Sequence, residues 1–173
     1  QRQMCIRDRG NAALGQVTSG SQNTAIGTTA LQNTTTGANN AAVGFQALSI
    51  NTTGNYNSAL GWGALYSNTT ASNNTAVGYQ AAYAITTGER NTAIGTQALV
   101  NATTASYNTV MGYAAYSGSA ATGNHVTAIG YGALGNNTSG QYNVGVGSYA
   151  IQSNTTASYN TAVGYQSLAS NTQ

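Results

Sequence analysis

Charge is what this sequence has least of. Arg2, Arg7, Asp8, Arg9, Glu89 and Arg90 are its only charged residues, and four of those six fall within the first nine positions. An ordinary globular domain is about 25% charged, so Asn, Thr, Ser and Gln must carry the solvation here. Lysine is absent altogether. A surface that neutralises phosphates needs clustered Lys and Arg, so nucleic acid is not expected as a direct partner. Past the leader, Glu89 and His125 are the only carboxylate and imidazole. General acid–base chemistry and metal coordination each need several such groups together. The expectation is a protein that is not an enzyme, with no catalytic residues, metal site or cofactor. One cysteine, Cys5, excludes a disulfide within the chain. No stretch approaches the roughly 18 apolar residues of a membrane span, and no signal peptide is visible; membrane insertion is not expected.

Composition changes abruptly at Gly10. Residues 1–9 (QRQMCIRDR) hold three of the four Arg, the only Asp and the only Cys. The string resembles translated adapter sequence, or else a short basic tail, and is set apart from the array that follows as a disordered or artefactual leader. Residues 10–173 form the second region.

That region is repetitive. Aligned on the glycine of N-T-A-V-G, the copies centre on Gly15, Gly27, Gly44, Gly61, Gly78, Gly95, Gly112, Gly130, Gly147 and Gly164, with spacings of 12, 17, 17, 17, 17, 17, 18, 17 and 17. On this alignment the first copy lacks five residues, and one extra residue falls around Asn124 to Val126. A fixed period near 20 marks a stacked array rather than a globule.

The columns carry the physics. Leu14, Ile26, Val43, Leu60, Val77, Ile94, Met111, Ile129, Val146 and Val163 immediately precede the glycine. Leu31, Leu48, Leu65, Leu99, Leu134, Ile151 and Leu168 follow it by four, with Ala82 and Tyr116 as exceptions. These two columns are the expected core. Ala recurs two before and three after the glycine, which allows close approach of another strand or chain. Helical repeats need roughly 33 residues or more, and helix formers are scarce. Seventeen residues instead fit two short strands and two turns, N-T-T-G or N-T-T-A-S supplying a turn through Gly and Asn. The fold class expected is all-β, a parallel β-solenoid (β-roll) of about ten 17-residue repeats. At about 4.8 Å per coil, nine intervals make a rod of roughly 43 Å.

Asn23, Asn40, Asn57, Asn74, Asn91, Asn108, Asn143 and Asn160 recur four before the glycine, and Asn11 holds the same place in the first copy. Stacked coil on coil, their amides are suited to a hydrogen-bonded structural ladder.

The motif A-[VIL]-G-x-x-A, as in Ala76-Val77-Gly78-Tyr79-Gln80-Ala81, resembles the head repeat of trimeric autotransporter adhesins (the YadA-like head), also found in bacteriophage tail fibres. The resemblance covers nearly all of residues 10–173. It implies a left-handed β-roll, one of three identical chains wound into a rigid surface fibre. The repeat here, at 17 residues, is longer than the family's, and no anchor, stalk or intramolecular chaperone is recognisable.

Three sets of residues are candidate contacts. Phe45, Trp62, Tyr79, Tyr113, Tyr131 and Tyr165 follow the glycine, while Tyr56, Tyr107, Tyr142 and Tyr159 precede the asparagine. Such rings stack on sugars, lie between chains, or stiffen the roll by stacking on one another. N-x-[ST] sequons at Asn33, Asn51, Asn68, Asn101, Asn137 and Asn154 fall six or seven residues after the glycine, in the expected turn, and others lie at Asn73 and Asn136. They are candidate glycosylation sites. Paired threonines such as Thr52-Thr53 and Thr69-Thr70 align between copies, but adjacent residues alternate sides, unlike the T-x-T of an ice-binding face.

The array ends mid-repeat at residues 171–173, which suggests a fragment of a longer fibre or copies stacked end to end. The function expected is an extracellular structural fibre at a cell or virion surface, giving rigid display or attachment. Its expected partners are itself, as homotrimer or end-to-end filament, and a cell-surface glycan. A self-assembling glycosylated filament is the alternative, and an ice-binding solenoid the third.

Overall fold

The computed structural model describes residues 7–170, with side chains from residue 10 onward; residues 1–6, with Cys5, and residues 171–173 lie outside the described residues. Ten strands of three residues each run in chain order. They are β1 (Arg7–Arg9), β2 (Thr24–Ile26), β3 (Ala41–Val43), β4 (Ser58–Leu60), β5 (Thr75–Val77), β6 (Thr92–Ile94), β7 (Thr109–Met111), β8 (Thr127–Ile129), β9 (Val144–Val146) and β10 (Thr161–Val163). They form one ten-stranded parallel sheet ordered as in the sequence. Each residue pairs with its equivalent one coil on, as Ala76 does with Ala93. The chain is an all-β parallel β-solenoid.

Each coil has one strand rather than the two expected. The rest of the circuit still bonds coil to coil, for instance Leu48 N to Ala64 O at 3.0 Å and Thr52 N to Thr69 O at 2.8 Å. It is not strand because the backbone turns left-handed three times per circuit, at Gln46 (φ 57°), Leu48 (φ 51°) and Tyr56 (φ 57°) in one coil. The N-T-T-G turn is not where these residues sit. A non-glycine residue costs about 1–2 kcal/mol in this region, and such strain persists only where the surroundings over-determine it. The ladders on both sides of every coil do so.

The core is narrower than the columns suggested. The central Ala of the strands (Ala25, Ala42, Ala59, Ala76 and Ala93), the Ala three after the glycine, and the Leu column from Leu31 to Leu134 with Ile151 and Tyr116 are buried. Leu168 in the last coil, expected in the same column, is exposed because no further coil covers it among the described residues. The residue before the glycine is not core, which corrects half of the expected pair. Ile26 is 42% exposed, Leu60 50% and Met111 39%. In a three-residue strand the sides alternate. Once the central Ala points inward, the Thr before it and the Val or Ile after it must point out. The next residue has no room for a side chain. At Gly78, with φ 131°, an added Cβ would lie 2.6 Å from Gly95 O in the coil above.

Two registers also differ from the sequence alignment. Arg9 pairs with Ile26, and a Cβ on Gly10 would lie 2.5 Å from Gly27 C. Gly10, not Gly15, is therefore the first motif glycine, 17 residues before Gly27, and the first coil lacks nothing. Leu14 belongs to the buried Leu column, and Asn11 is an exposed residue outside the asparagine column. Residues 7–9, set with the leader by composition, supply β1, because a ladder is made by backbone groups whatever their side chains. In the 18-residue coil, Asn101 Nδ2 bonds Ser117 O, whereas Thr103 N reaches Ala121 O, one residue further than Thr86 N to Thr103 O. The extra residue thus lies in 118–120, ahead of the expected place.

Candidate functional site

The asparagine column lies inside the coil. Asn23, Asn40, Asn57, Asn74, Asn91, Asn108 and Asn143 are buried, and Asn160 is half-buried. Each Oδ1 accepts the backbone N–H of the next rung, as in Asn57 N to Asn40 Oδ1 at 2.9 Å and Asn91 N to Asn74 Oδ1 at 2.9 Å. Nδ2 of Asn23, Asn40, Asn57, Asn74, Asn91 and Asn143 crosses the coil to a carbonyl, as in Asn40 to Gly54 O and Asn57 to Ala71 O, both 2.8 Å. One amide therefore satisfies a buried donor and a buried acceptor that the turning backbone leaves unpaired. Val126 interrupts the column, and its N–H still reaches Asn108 Oδ1 at 2.8 Å. In that coil the Tyr116 hydroxyl donates to Gly123 O at 3.0 Å. Burial pushes the pKa of this hydroxyl up to about 12.

The sequon asparagines separate into two groups. Asn51, Asn68, Asn137 and Asn154, seven residues after the glycine, form a second buried column. Asn51, Asn68 and Asn154 aim Nδ2 at carbonyls that the first column also meets, such as Ala71 O with Asn68 at 3.1 Å and Asn57 at 2.8 Å. Asn137 Nδ2 bonds Gly140 O at 2.9 Å. The atom that would carry a glycan is engaged inside the coil at all four. Asn33 is half-buried, while Asn101, Asn136 and Asn73 are exposed. The second column breaks at Ile85, and Asn68 Oδ1 is left buried without a partner.

In the threonine pairs, the first hydroxyl donates to the same residue's carbonyl one coil on, as from Thr52 to Thr69 at 3.0 Å and Thr69 to Thr86 at 3.1 Å. The second, as at Thr53 and Thr70, is exposed. The pairs do not make a flat two-wide array.

The rings stand in rows along the rod. Phe45, Trp62, Tyr79, Tyr113, Tyr131 and Tyr165 are all exposed in the column after the glycine. Phe45–Trp62, Trp62–Tyr79 and Tyr113–Tyr131 stack with centroids 6.0, 5.1 and 5.2 Å apart. Thr96 and Ser148 interrupt this row. In the other row Tyr107, His125, Tyr142 and Tyr159 stack without a break at 4.9, 4.8 and 5.0 Å, within 9° of parallel. Arg90 caps it, its guanidinium carbon 5.2 Å from the Tyr107 centroid and its Nη1 bonded to the Tyr107 hydroxyl. A pattern of Tyr before Asn does not pick out His125, which precedes Val126, or Arg90, which is not aromatic. Rings stacked face to face along the rod turn mainly their edges outward, so these rows present no continuous platform of ring faces.

Beside the first ring row runs the outward apolar column from Ile26 to Val163. Ile26, Leu60, Met111 and Val163 are exposed, and Val43, Val77, Ile94, Ile129 and Val146 are half-buried. No charged side chain stands in this column or in the flanking ring row among the described residues from Gly10 on.

No group of three metal-ligating side chains occurs among the described residues, and no helix there is long and apolar enough to cross a membrane. No protein-family model matches the chain, and no curated protein or solved structure is significantly similar to it.

Proposed function

We propose that the chain is the shaft or head of an extracellular structural fibre, giving rigid display or attachment at a cell or virion surface. We further propose that it works as several copies packed side by side. The observation that carries this reading is the apolar column from Ile26 to Val163, solvent-facing on a rod whose interior is already complete. Over roughly 43 Å of rod this is a continuous apolar stripe, and such a stripe at a surface marks an interaction site. It carries no charge that would have to be desolvated on pairing. A second copy of the same rod is the occupant that fits its length and uniform chemistry. Three copies around a common axis suit a narrow ridge better than two, since each ridge is then covered from both flanks. The resemblance to trimeric adhesin heads supports the same number.

Mechanism in such a fibre is mechanical. Continuous backbone ladders, two internal amide columns and stacked rings resist bending, and the remaining faces meet the partner. Sedimentation equilibrium of the chain and of a Val77→Lys/Ile94→Lys variant tests the reading. A trimer that becomes a monomer with an unchanged circular dichroism spectrum supports it. A monomer at tens of micromolar for the unaltered chain overturns it.

A further inference from the structure

The first ring row contains a gap one ring thick. Tyr79 lies flat on Trp62, 18° from parallel, and Tyr113 lies flat on Tyr131, 12° from parallel. One face of each ring is therefore covered, and the other looks along the row toward the rung that Thr96 occupies. Two coil rises place the Tyr79 and Tyr113 centroids about 10 Å apart. Two apolar contacts of about 3.5–4.0 Å each fit in that distance with one ring between them. Thr96, exposed, forms the floor, and half-buried Ile94 flanks it.

Among the described residues no ring stacks in the gap, Tyr79 pairing with Trp62 and Tyr113 with Tyr131. Gln97, the next residue, turns along its own column, its Nε2 bonded to Gln80 Oε1 at 3.3 Å. The break at Ser148 is different. There Tyr149 stands edge-on against Tyr131 at 5.0 Å and 72°, between the rungs of Tyr131 and Tyr165. Among the described residues the Thr96 gap thus lies between two stacked rings with no ring of its own.

We propose that this gap binds a hexopyranose ring whose hydroxyls are equatorial, sandwiched between Tyr79 and Tyr113. Such a sugar has two C–H faces and a polar rim. The gap has two aromatic faces, with the Tyr79 and Tyr113 hydroxyls and Thr96 around its edge. Tyr supplies that combination of apolar face and polar tip. The biological meaning rests on the reading of the rod as an attachment fibre, but the binding is separable from it.

The test uses the full chain with cellopentaose, a β-1,4-linked glucose oligomer, followed by two-dimensional NMR. Saturable shifts centred on Tyr79, Thr96 and Tyr113 are expected, with millimolar affinity. Thr96→Tyr completes the ring row, as Tyr does in other coils, and should weaken binding at least tenfold with no loss of thermal stability. Ser148→Ala should leave it unchanged. Absence of shifts, binding that survives Thr96→Tyr, or binding of a planar aromatic probe but not of the saccharide each overturns the proposal. A chain that forms trimers yet binds no saccharide refutes the sugar site alone. A chain that binds cellopentaose as a monomer refutes the assembly alone.

Discussion

Asn74 donates its backbone N–H to Asn57 Oδ1 at 3.0 Å, while Asn57 Nδ2 donates across the coil to Ala71 O at 2.8 Å. Repeated rung after rung, this relationship lets a coil with three left-handed turns stack without orphaning its backbone. Removing it should be costly. Asn57→Ala leaves the buried N–H of Asn74 unpaired and takes one donor from Ala71 O, and is expected to destabilise by about 2–4 kcal/mol. Denaturant unfolding measures this. Thr53→Ala, at an exposed position nearby, should cost clearly less.

Ile85 stops the second amide column and leaves Asn68 Oδ1 without a donor. An asparagine there would bring Nδ2 within reach of that oxygen, as Asn68 does for Asn51 Oδ1 at 2.9 Å. Ile85→Asn loses buried apolar area, yet should cost about 1–2 kcal/mol less in the native background than in Asn68→Ala. A double-mutant cycle reads that coupling, and a cycle that closes to zero contradicts the ladder.

Tyr116 gives a pH signature. Its folded-state proton is held up to about 12, above the ordinary value of 10, chiefly through burial. Stability from this group is therefore full below pH 10 and declines from pH 10 to 12, as the unfolded chain releases a proton that the folded chain keeps. Tyr116→Phe, which leaves Gly123 O without this donor, should be less stable by about 1–3 kcal/mol at neutral pH. The gap between the two proteins should narrow as pH rises through 10–12. Urea melts at pH 8 and pH 11 measure both effects.

Expression in a host competent for N-glycosylation should separate the sequons. Glycopeptides are expected at Asn101 and Asn136, which are exposed. None are expected at Asn51, Asn68, Asn137 or Asn154, which are buried with Nδ2 engaged. Peptide mass spectrometry decides, and sugar on Asn51 in the folded protein would contradict the second inner column.

Much of this architecture is legible in the residues. The period excludes helices, and eight asparagines at one phase locate an internal ladder. What escaped has a common cause. A period reports which residues are equivalent, not which way they point. Direction is set by the strand's alternation about its central Ala. That puts Val77 and Ile94 outside, where hydropathy alone places them inside. Asn51 and Asn101 look alike as sequons, but they stand at seven and six residues after their glycines, and one residue inverts the side. His125 keeps the phase of the ring row, five before Gly130 as Tyr107 is before Gly112, but Val126 follows it where the other coils have asparagine. Left-handed Leu48 and Gln46 have no local signature, since neighbouring coils, not their own side chains, impose that conformation.

The central claim is that the apolar column joins one rod to another. Cryo-electron microscopy of the purified chain tests it most directly. The account predicts three rods side by side, with coils spaced about 4.8 Å and the column from Ile26 to Val163 turned toward the common axis. Single rods with that column facing solvent would contradict it.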